Sequence, residues 1–446
     1  MSNIKAKQVG RRDFLRWAGG ATVAGSLLVS PRRGRAAQRS LRIAKWAHFL
    51  PEFDVWFEGL VRDWGERQHT RVTLDLIPVE KIAVAALAEI ASGEGHDLFM
   101  FPWPPAEYYQ HAIDHVVIYQ AVAGKYGAIP QLAHRSTYDP RSRKYFGFAD
   151  FWMPAPLHFF QDYWAEVGMP LGPMNYASLR SGGRQLRDKH GIPSGLSFAS
   201  TLEGNVTLHT LLYASRAWLL DSRGNVIFDK NAFAVGALKY IQALYQESGT
   251  PEQLVWGPGG NVQAMLARKT SSSTNAISLL RTAEEHDAQV ASKIRLQPPL
   301  LGTNGMGVTA LPHVTNCSLV WSFARNPRGA CQFLTDLIDS SRLGYERSLG
   351  CNFPIYPKTV PDLIVRLAKD ARADPVYKYV ELKDALHWTP NLGAPGFATP
   401  AYMQIFNSSL VPRMIQGVLK GERSPEEAAA ETGAEIQRIA AKWQQV

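Results

Sequence analysis

Cysteine is scarce in this chain, with three in 446 residues: Cys317, Cys331 and Cys351. There is no Cys-x-x-Cys, no Cys-x-x-Cys-His and no cysteine cluster, so iron–sulfur ligation and covalent haem attachment have nothing to build on. An odd count also leaves at least one thiol unpaired. Other chemistry-bearing patterns are missing too. The sequence has no Gly-x-Ser-x-Gly for a serine hydrolase and no His-Glu-x-x-His for zinc. Gly302-Thr303-Asn304-Gly305-Met306-Gly307 has neither the glycine spacing nor the helix start of a dinucleotide site. His111 and His115 stand four apart without a third ligand nearby, and Glu284-Glu285-His286-Asp287 reads as a solvated helix start. These absences leave no cofactor and no metal expected. A long hydrophobic run is lacking as well: after residue 36 none reaches the roughly 20 residues that a membrane-spanning helix needs.

Positive charge is plentiful only at the front. The full sequence carries a net +9, which at face value would suggest nucleic acid or an anionic membrane surface. Residues 1–36 hold eight Lys and Arg and one acid, Asp13, so the remainder has 40 basic and 38 acidic groups. The rest of the chain is nearly neutral and has no basic stripe, so no nucleic-acid partner is expected. In the front segment, Gly10-Arg11-Arg12-Asp13-Phe14-Leu15-Arg16 precedes an uncharged apolar stretch, Trp17 to Val29. That stretch is too short to span a bilayer as a helix, and small residues follow it, as in an export leader. The paired arginines followed by Phe-Leu resemble a twin-arginine signal, whose pathway exports proteins already folded. The expectation is a leader over residues 1–36, cut near Ala36. No cysteine stands there to be lipidated, so a periplasmic chain without stable membrane insertion is expected.

Past the leader the chain exceeds one hydrophobic core, and two lobes are expected. Leu41-Arg42-Ile43-Ala44-Lys45-Trp46 alternates as a strand does. Phe53, Trp56, Phe57, Leu60, Val61 and Trp64 then recur at helical spacing. Residues 71–77 read as a strand, 79–92 as a helix and 97–101 as a buried strand. This alternation predicts a parallel α/β sheet with crossover helices. Ligands of open α/β sheets sit beyond the carboxyl ends of the strands, which puts Trp46-Ala47-His48 and Phe101-Pro102-Trp103 at one rim. Further helices are predicted near 176–190, 207–220, 231–248 and 326–339. Residues 148–152, 297–302 and 350–357 are candidate crossings between lobes. Ser424, Pro425 and Glu427 predict a capping box opening the last helix.

Six segments in order resemble the family 1 extracellular solute-binding proteins, the maltose-binding type that serves ABC importers. They are Ile43-Ala44-Lys45-Trp46 through Trp64, Gly95-His96-Asp97-Leu98-Phe99, and Lys144-Tyr145-Phe146-Gly147-Phe148. The series continues with Phe160-Gln161-Asp162-Tyr163 to Gly168-Met169-Pro170, then Gly307 to Ile338, and Ser424-Pro425-Glu426-Glu427-Ala428-Ala429. The resemblance covers roughly residues 41–445. It implies a type II periplasmic-binding-protein fold: two α/β lobes joined by a multi-strand hinge, with a cleft between them. On that reading residues 40–150 with 300–350 form the N-terminal lobe, and 151–299 with 353–446 the C-terminal lobe. The family's Asn/Gly-Pro-Trp step in the second lobe is replaced here by Asn275-Ala276-Ile277-Ser278. That departure argues against a long maltodextrin-like ligand and for a smaller sugar, a polyol or another polar solute.

The resemblance implies capture rather than catalysis, by a monomer that hands a small polar solute to ABC permease subunits. Sugar CH faces pack on aromatic rings, so Trp46, Trp103 and Trp152 are the stacking candidates. His48 shares the rim with Trp46, and Asp150, Glu203, Asn205, Asn275, Asn304 and Asn352 are the polar candidates. The alternative reading is an exported carbohydrate-active lyase or hydrolase, for which Asp150 and Glu203 would be the carboxylate pair.

Overall fold

In the computed structural model, which describes residues 39–302, 307 and 309–445, the strand β1 (Arg39–Trp46) enters exposed and ends buried. Its alternation sends Leu41 and Ile43 inward and leaves Arg42 outside. It pairs in parallel along its whole length with β2 (Thr70–Ile77) and, on its other side, with β3 (Leu98–Phe101), whose four residues are all buried. The helix Pro51–Arg67 between β1 and β2 buries Phe53, Phe57, Val61 and Trp64, one stripe at helical spacing. Each such side chain contributes roughly 1.5–3 kcal/mol by leaving water. Trp64 meets Phe333 edge-on at 5.3 Å and donates its indole N–H to Asp336 at 2.8 Å.

A short hairpin, β4 (Tyr138–Asp139) and β5 (Lys144–Tyr145), leads into β6 (Phe148–Met153). All six residues of β6 are buried and belong to the first sheet, so the chain departs only at Pro154-Ala155-Pro156. Proline has no N–H to give a ladder, and pairing with the first sheet stops there. Next comes β7 (Leu157–Phe160), the centre of a second, antiparallel sheet between β8 (Ser272–Thr274) and β9 (Ile294–Gln297). The chain returns through β10 (Val314–Val320) and β11 (Phe353–Pro354). The first sheet runs β11-β6-β10-β3-β1-β2 and the second β8-β7-β9.

One lobe forms around each sheet. The larger sheet is mixed, not parallel throughout as the strand–helix alternation predicts. Only β2, β1 and β3 are parallel; β10 opposes both β3 and β6. The reason is connectivity. β10 is reached from the second sheet and not through a crossover helix on the first, so it enters from the opposite end.

In the second lobe the helix Leu202–Ala214 is buried from Glu203 to Ala214, its polar residues Glu203, Asn205, Thr207, His209 and Thr210 included. It starts earlier than its apolar run suggests because Thr201 caps it, accepting the Gly204 N–H at 3.2 Å. The helices Tyr176–His190 and Ala234–Ser248 stand close to their expected places. The last helix, Pro425–Gln444, opens on the anticipated capping box: Ser424 accepts from the Glu427 N–H and Glu427 from the Ser424 N–H. All three cysteines are free thiols, and burial raises the pKa of each.

Candidate functional site

The strand ends of the first lobe and the helix starts of the second face one another across a cleft of about 840 Å³. From the first lobe come Ala47 and Phe49 after β1, the turn Pro78-Val79-Glu80 after β2, and Trp103 after β3. From the second come Thr201, Glu203 and Asn205 at the start of the buried helix, then Val262, Gln263 and Leu266 from the helix Gly260–Leu266. Asn275, Ser278 and Thr282 follow β8, His313 precedes β10, and Phe406 and Asn407 end the helix Pro400–Asn407. Trp103 and Phe406, one from each side, approach at 6.5 Å between ring centres. Apolar walls with a few convergent polar groups are the usual make-up of a small-molecule site.

Several polar groups on this wall lack a full set of partners. Asn205 gives its amide N–H to the Phe406 carbonyl at 2.6 Å, but its Oδ1 is buried with no partner. Glu203 is 9 % exposed, and its Oε1 accepts one long bond, 3.4 Å, from the Gly259 N–H. Asn275 is better satisfied: it donates to Asn261 at 3.3 Å and accepts from the Ala276 N–H at 2.7 Å. His313 stands edge-on to Phe49 at 5.4 Å. Burial lowers its pKa, and the nearby Glu203 charge acts in the opposite sense. The described wall carries two acids, Glu80 and Glu203, and no Lys or Arg.

The sequence candidates therefore divide. Trp103, Glu203, Asn205 and Asn275 line the cleft. Trp46, His48, Asp150, Trp152 and Asn352 lie behind it, and Asn304 lies outside the described residues. Trp46 is fully buried and donates its indole N–H to Asn316 Oδ1 at 2.7 Å. Asn316, at a bulge in β10, passes its own N–H to Asp150 at 2.6 Å. Burial pushes the Asp150 carboxyl up to about 7. His48 Nδ1 accepts from the Leu50 N–H at 3.1 Å, so the ring's proton sits on Nε2 and is donated to Asn352 Oδ1 at 3.0 Å. Burial holds His48 neutral, its pKa down to about 3. Beneath these residues Lys45 pairs with Asp54 at 2.7 Å and also donates to the Trp46 carbonyl at 2.8 Å. Trp152 packs inside the sheet, edge-on to Phe353 at 5.5 Å.

The carboxylate pair nominated for glycoside chemistry is not brought together. Asp150 borders a separate cavity of about 30 Å³ beside Phe53 and Asn352, whereas Glu203 faces the cleft. His115 is a core residue: its Nε2 accepts the Val320 N–H at 3.0 Å and its Nδ1 bonds the Tyr145 carbonyl at 3.0 Å. The run at 284–287 ends the helix Ser278–His286 and opens the next one; Glu285, His286 and Asp287 are exposed, and only Glu284 is turned inward. Glu284 is held by Arg281 at 2.8 Å and Tyr379 at 2.9 Å, and Asp287 caps the helix Ala288–Lys293. Among the described residues no group of three His, Cys, Asp or Glu side chains could hold a metal ion. No helix there is long and apolar enough to cross a membrane.

Phe49, Glu80, His313 and Phe406 are wall residues that the sequence reading passed over. For Phe49 a signal existed, since it follows His48 in the same rim loop. Phe406 sits in an apolar helix whose spacing announces only a core.

No protein-family model and no curated protein sequence matches the chain. Solved structures do match in fold. An ABC transporter solute-binding protein from Thermotoga lettingae, bound with α-D-tagatose, superposes at a TM-score of 0.73 with 15% identity. The match spans 90% of this chain and 100% of that one. A sugar transporter from Arthrobacter chlorophenolicus with bound laminaribiose gives 0.75 at 12% identity, over 90% and 99% of the two chains. An ABC transporter solute-binding protein from Agrobacterium radiobacter in complex with ribitol gives 0.69 at 16%, over 90% and 98%. The chain has the two-lobed fold of the maltose-binding type of periplasmic binding protein.

Proposed function

We propose that this chain is the periplasmic solute-binding component of an ABC importer, a monomer that captures a sugar, polyol or similar polar solute between its lobes. Hinge closure would trap the solute and present it to the permease subunits. One observation carries the reading: a large cleft draws its walls from both lobes and sets aromatic rings beside polar groups with free hydrogen-bonding capacity. Structures of the same fold bear tagatose, laminaribiose and ribitol. Trp103, Glu203, Asn205 and Asn275 would touch the solute. Trp46, His48, Asp150, Trp152 and Asn352 would hold the rim in shape, and Asn304 would add a polar contact. The lobes would comprise 40–150 with 300–350, and 151–299 with 353–446. The family 1 pattern and the twin-arginine leader over 1–36 fit an exported capture protein.

The energetics are sufficient. Moving an open–closed equilibrium from 1:99 to 99:1 takes roughly 5.5 kcal/mol of differential affinity. Two ring contacts at about 0.5–1.5 kcal/mol each and three or four hydrogen bonds at about 1 kcal/mol each supply that amount. The test is thermal denaturation against sugars, polyols and other polar solutes. A cognate solute raises the melting temperature with concentration, and a flat response across the panel would sink the proposal. Replacing Arg11 and Arg12 by lysine and fractionating cells tests the leader; unchanged export would remove it.

A further inference from the structure

We infer that the solute carries a protonated amine, seated on Glu203 and drawn toward Glu80, so that the preferred ligand class is an amino sugar or amino polyol. This inference rests on the solute-binding reading and narrows it. It begins from an imbalance. The described cleft wall holds two carboxylates and no Lys or Arg. A phosphorylated or carboxylated solute would meet like charge with no cation among the described wall residues to offset it, and such juxtaposition is a strong device for rejecting ligands.

Hydrogen-bonding capacity points the same way. Glu203 is nine-tenths buried and keeps one long bond from the Gly259 N–H, which leaves most of its acceptor positions unused. Asn205, two residues further along the same helix, has committed its amide N–H to the Phe406 carbonyl and keeps a buried Oδ1 without a partner. A buried acceptor without a donor is costly. A sugar hydroxyl can give one proton to such a pair, whereas an ammonium gives three. Trp103 and Phe406 add ring faces on which a cation is also favoured.

Glu203 has a structural use as well, since it lies in the first turn of the helix Leu202–Ala214, where a negative charge suits the macrodipole. An exposed residue would serve that purpose equally, so helix stability does not account for its burial in the cleft wall. Glu80 projects from the turn after β2 on the opposite lip. Two carboxylates facing across an open cleft repel, and a cation between them removes the repulsion and favours closure. His313, the remaining titratable group on the wall, is buried and kept largely neutral, so it does not supply the missing positive charge.

The experiment is isothermal titration of the full protein with matched sets: D-glucosamine, D-glucose, N-acetyl-D-glucosamine and D-glucuronate, then glucamine and sorbitol. The expected result is that the amine in a set binds at least tenfold tighter than its neutral counterpart and that glucuronate shows no heat. Glu203→Gln keeps the side chain's shape and should cut the preference to within twofold, with Glu80→Gln giving a smaller loss. If a neutral or acidic member binds as tightly as its amine, or if E203Q keeps the preference, the charge inference is overturned while solute binding stands. If calcium chloride raises the melting temperature as much as glucosamine, the acidic groups bind a metal cation and the inference is again overturned. If no member of any set binds, the sugar-binding reading itself fails and takes this inference with it.

Discussion

Two sets of polar side chains lie on either side of the loop that follows β1, and they differ in how they are satisfied. Behind the loop, Lys45 pairs with Asp54, Trp46 with Asn316, Asn316 with Asp150 and His48 with Asn352, each at 3.0 Å or less. In front of it, Glu203 and Asn205 line the cleft with acceptors that other side chains do not fill. The inner set spends most of its hydrogen bonds on the protein, the Asn352 amide nitrogen being left without a partner, so it stabilises one geometry. The outer set holds them in reserve, which in a concave wall amounts to an invitation to a ligand. Tryptophan and asparagine occur in both sets; only the partners distinguish them.

The comparison is broken if inner-set substitutions change affinity, or outer-set ones change stability. The largest effect is expected from Lys45→Met, which strands Asp54 as an unpaired buried carboxylate and should cost about 3–5 kcal/mol of unfolding free energy. Denaturant titration measures it, and a loss under 1 kcal/mol would mean that the ion pair is not the anchor of this region.

Next in size is a pH effect centred on Asp150. Its pKa in the fold is about 7, against an ordinary 3.8. Between those values the native state binds more protons than the unfolded chain, so this group's contribution falls as pH rises and levels off above pH 7. The slope is at most about 1.4 kcal/mol per pH unit. His48, lowered to about 3, acts in the opposite sense, removing stability as pH drops from 6.5. Asp150→Asn should therefore make stability climb more steeply between pH 4 and 7, by up to that slope, because Asp150 no longer offsets the buried histidines. Identical melting profiles for D150N and the parent would show that Asp150 titrates normally.

Trp46→Phe should cost about 1–3 kcal/mol by leaving the Asn316 oxygen without its donor. Solute affinity should stay within twofold; a tenfold loss would move Trp46 from the inner set to the outer. Trp103→Ala is the mirror case, with affinity down about tenfold, or 1.4 kcal/mol, and denaturant stability changed by less than 1 kcal/mol. Unaltered affinity would strike Trp103 from the wall.

Much of the fold was legible because periodicity is local. The helix Pro51–Arg67 and the strands on either side of it follow from apolar spacing that any solvent-exposed sheet must show. Strand direction was not legible. β10 reads like another buried strand, and its antiparallel sense depends on where the chain has just been. The candidate site was half legible. The rule that ligands sit past the carboxyl ends of strands placed both Trp46 and Trp103 at one rim. It could not tell which indole turns to the cleft and which turns to Asn316, 270 residues further along the chain.

By itself, then, the amino-acid sequence determined that strands and helices alternate over a length exceeding one core, that positive charge crowds the first 36 residues, and that no cofactor motif is present. These properties depend on neighbours a few positions apart or on composition. The tertiary structure alone decided which polar residues were satisfied. Asp150 and Glu203 are the same kind of group at the sequence level. Both are nine-tenths buried, but one accepts from Asn316 of another strand, and the other, at a helix start in the cleft wall, keeps only a long bond from the Gly259 N–H. Hydrogen-bond partners and desolvation are set by segments hundreds of residues distant, and those quantities separate a structural carboxyl from one free to receive a ligand.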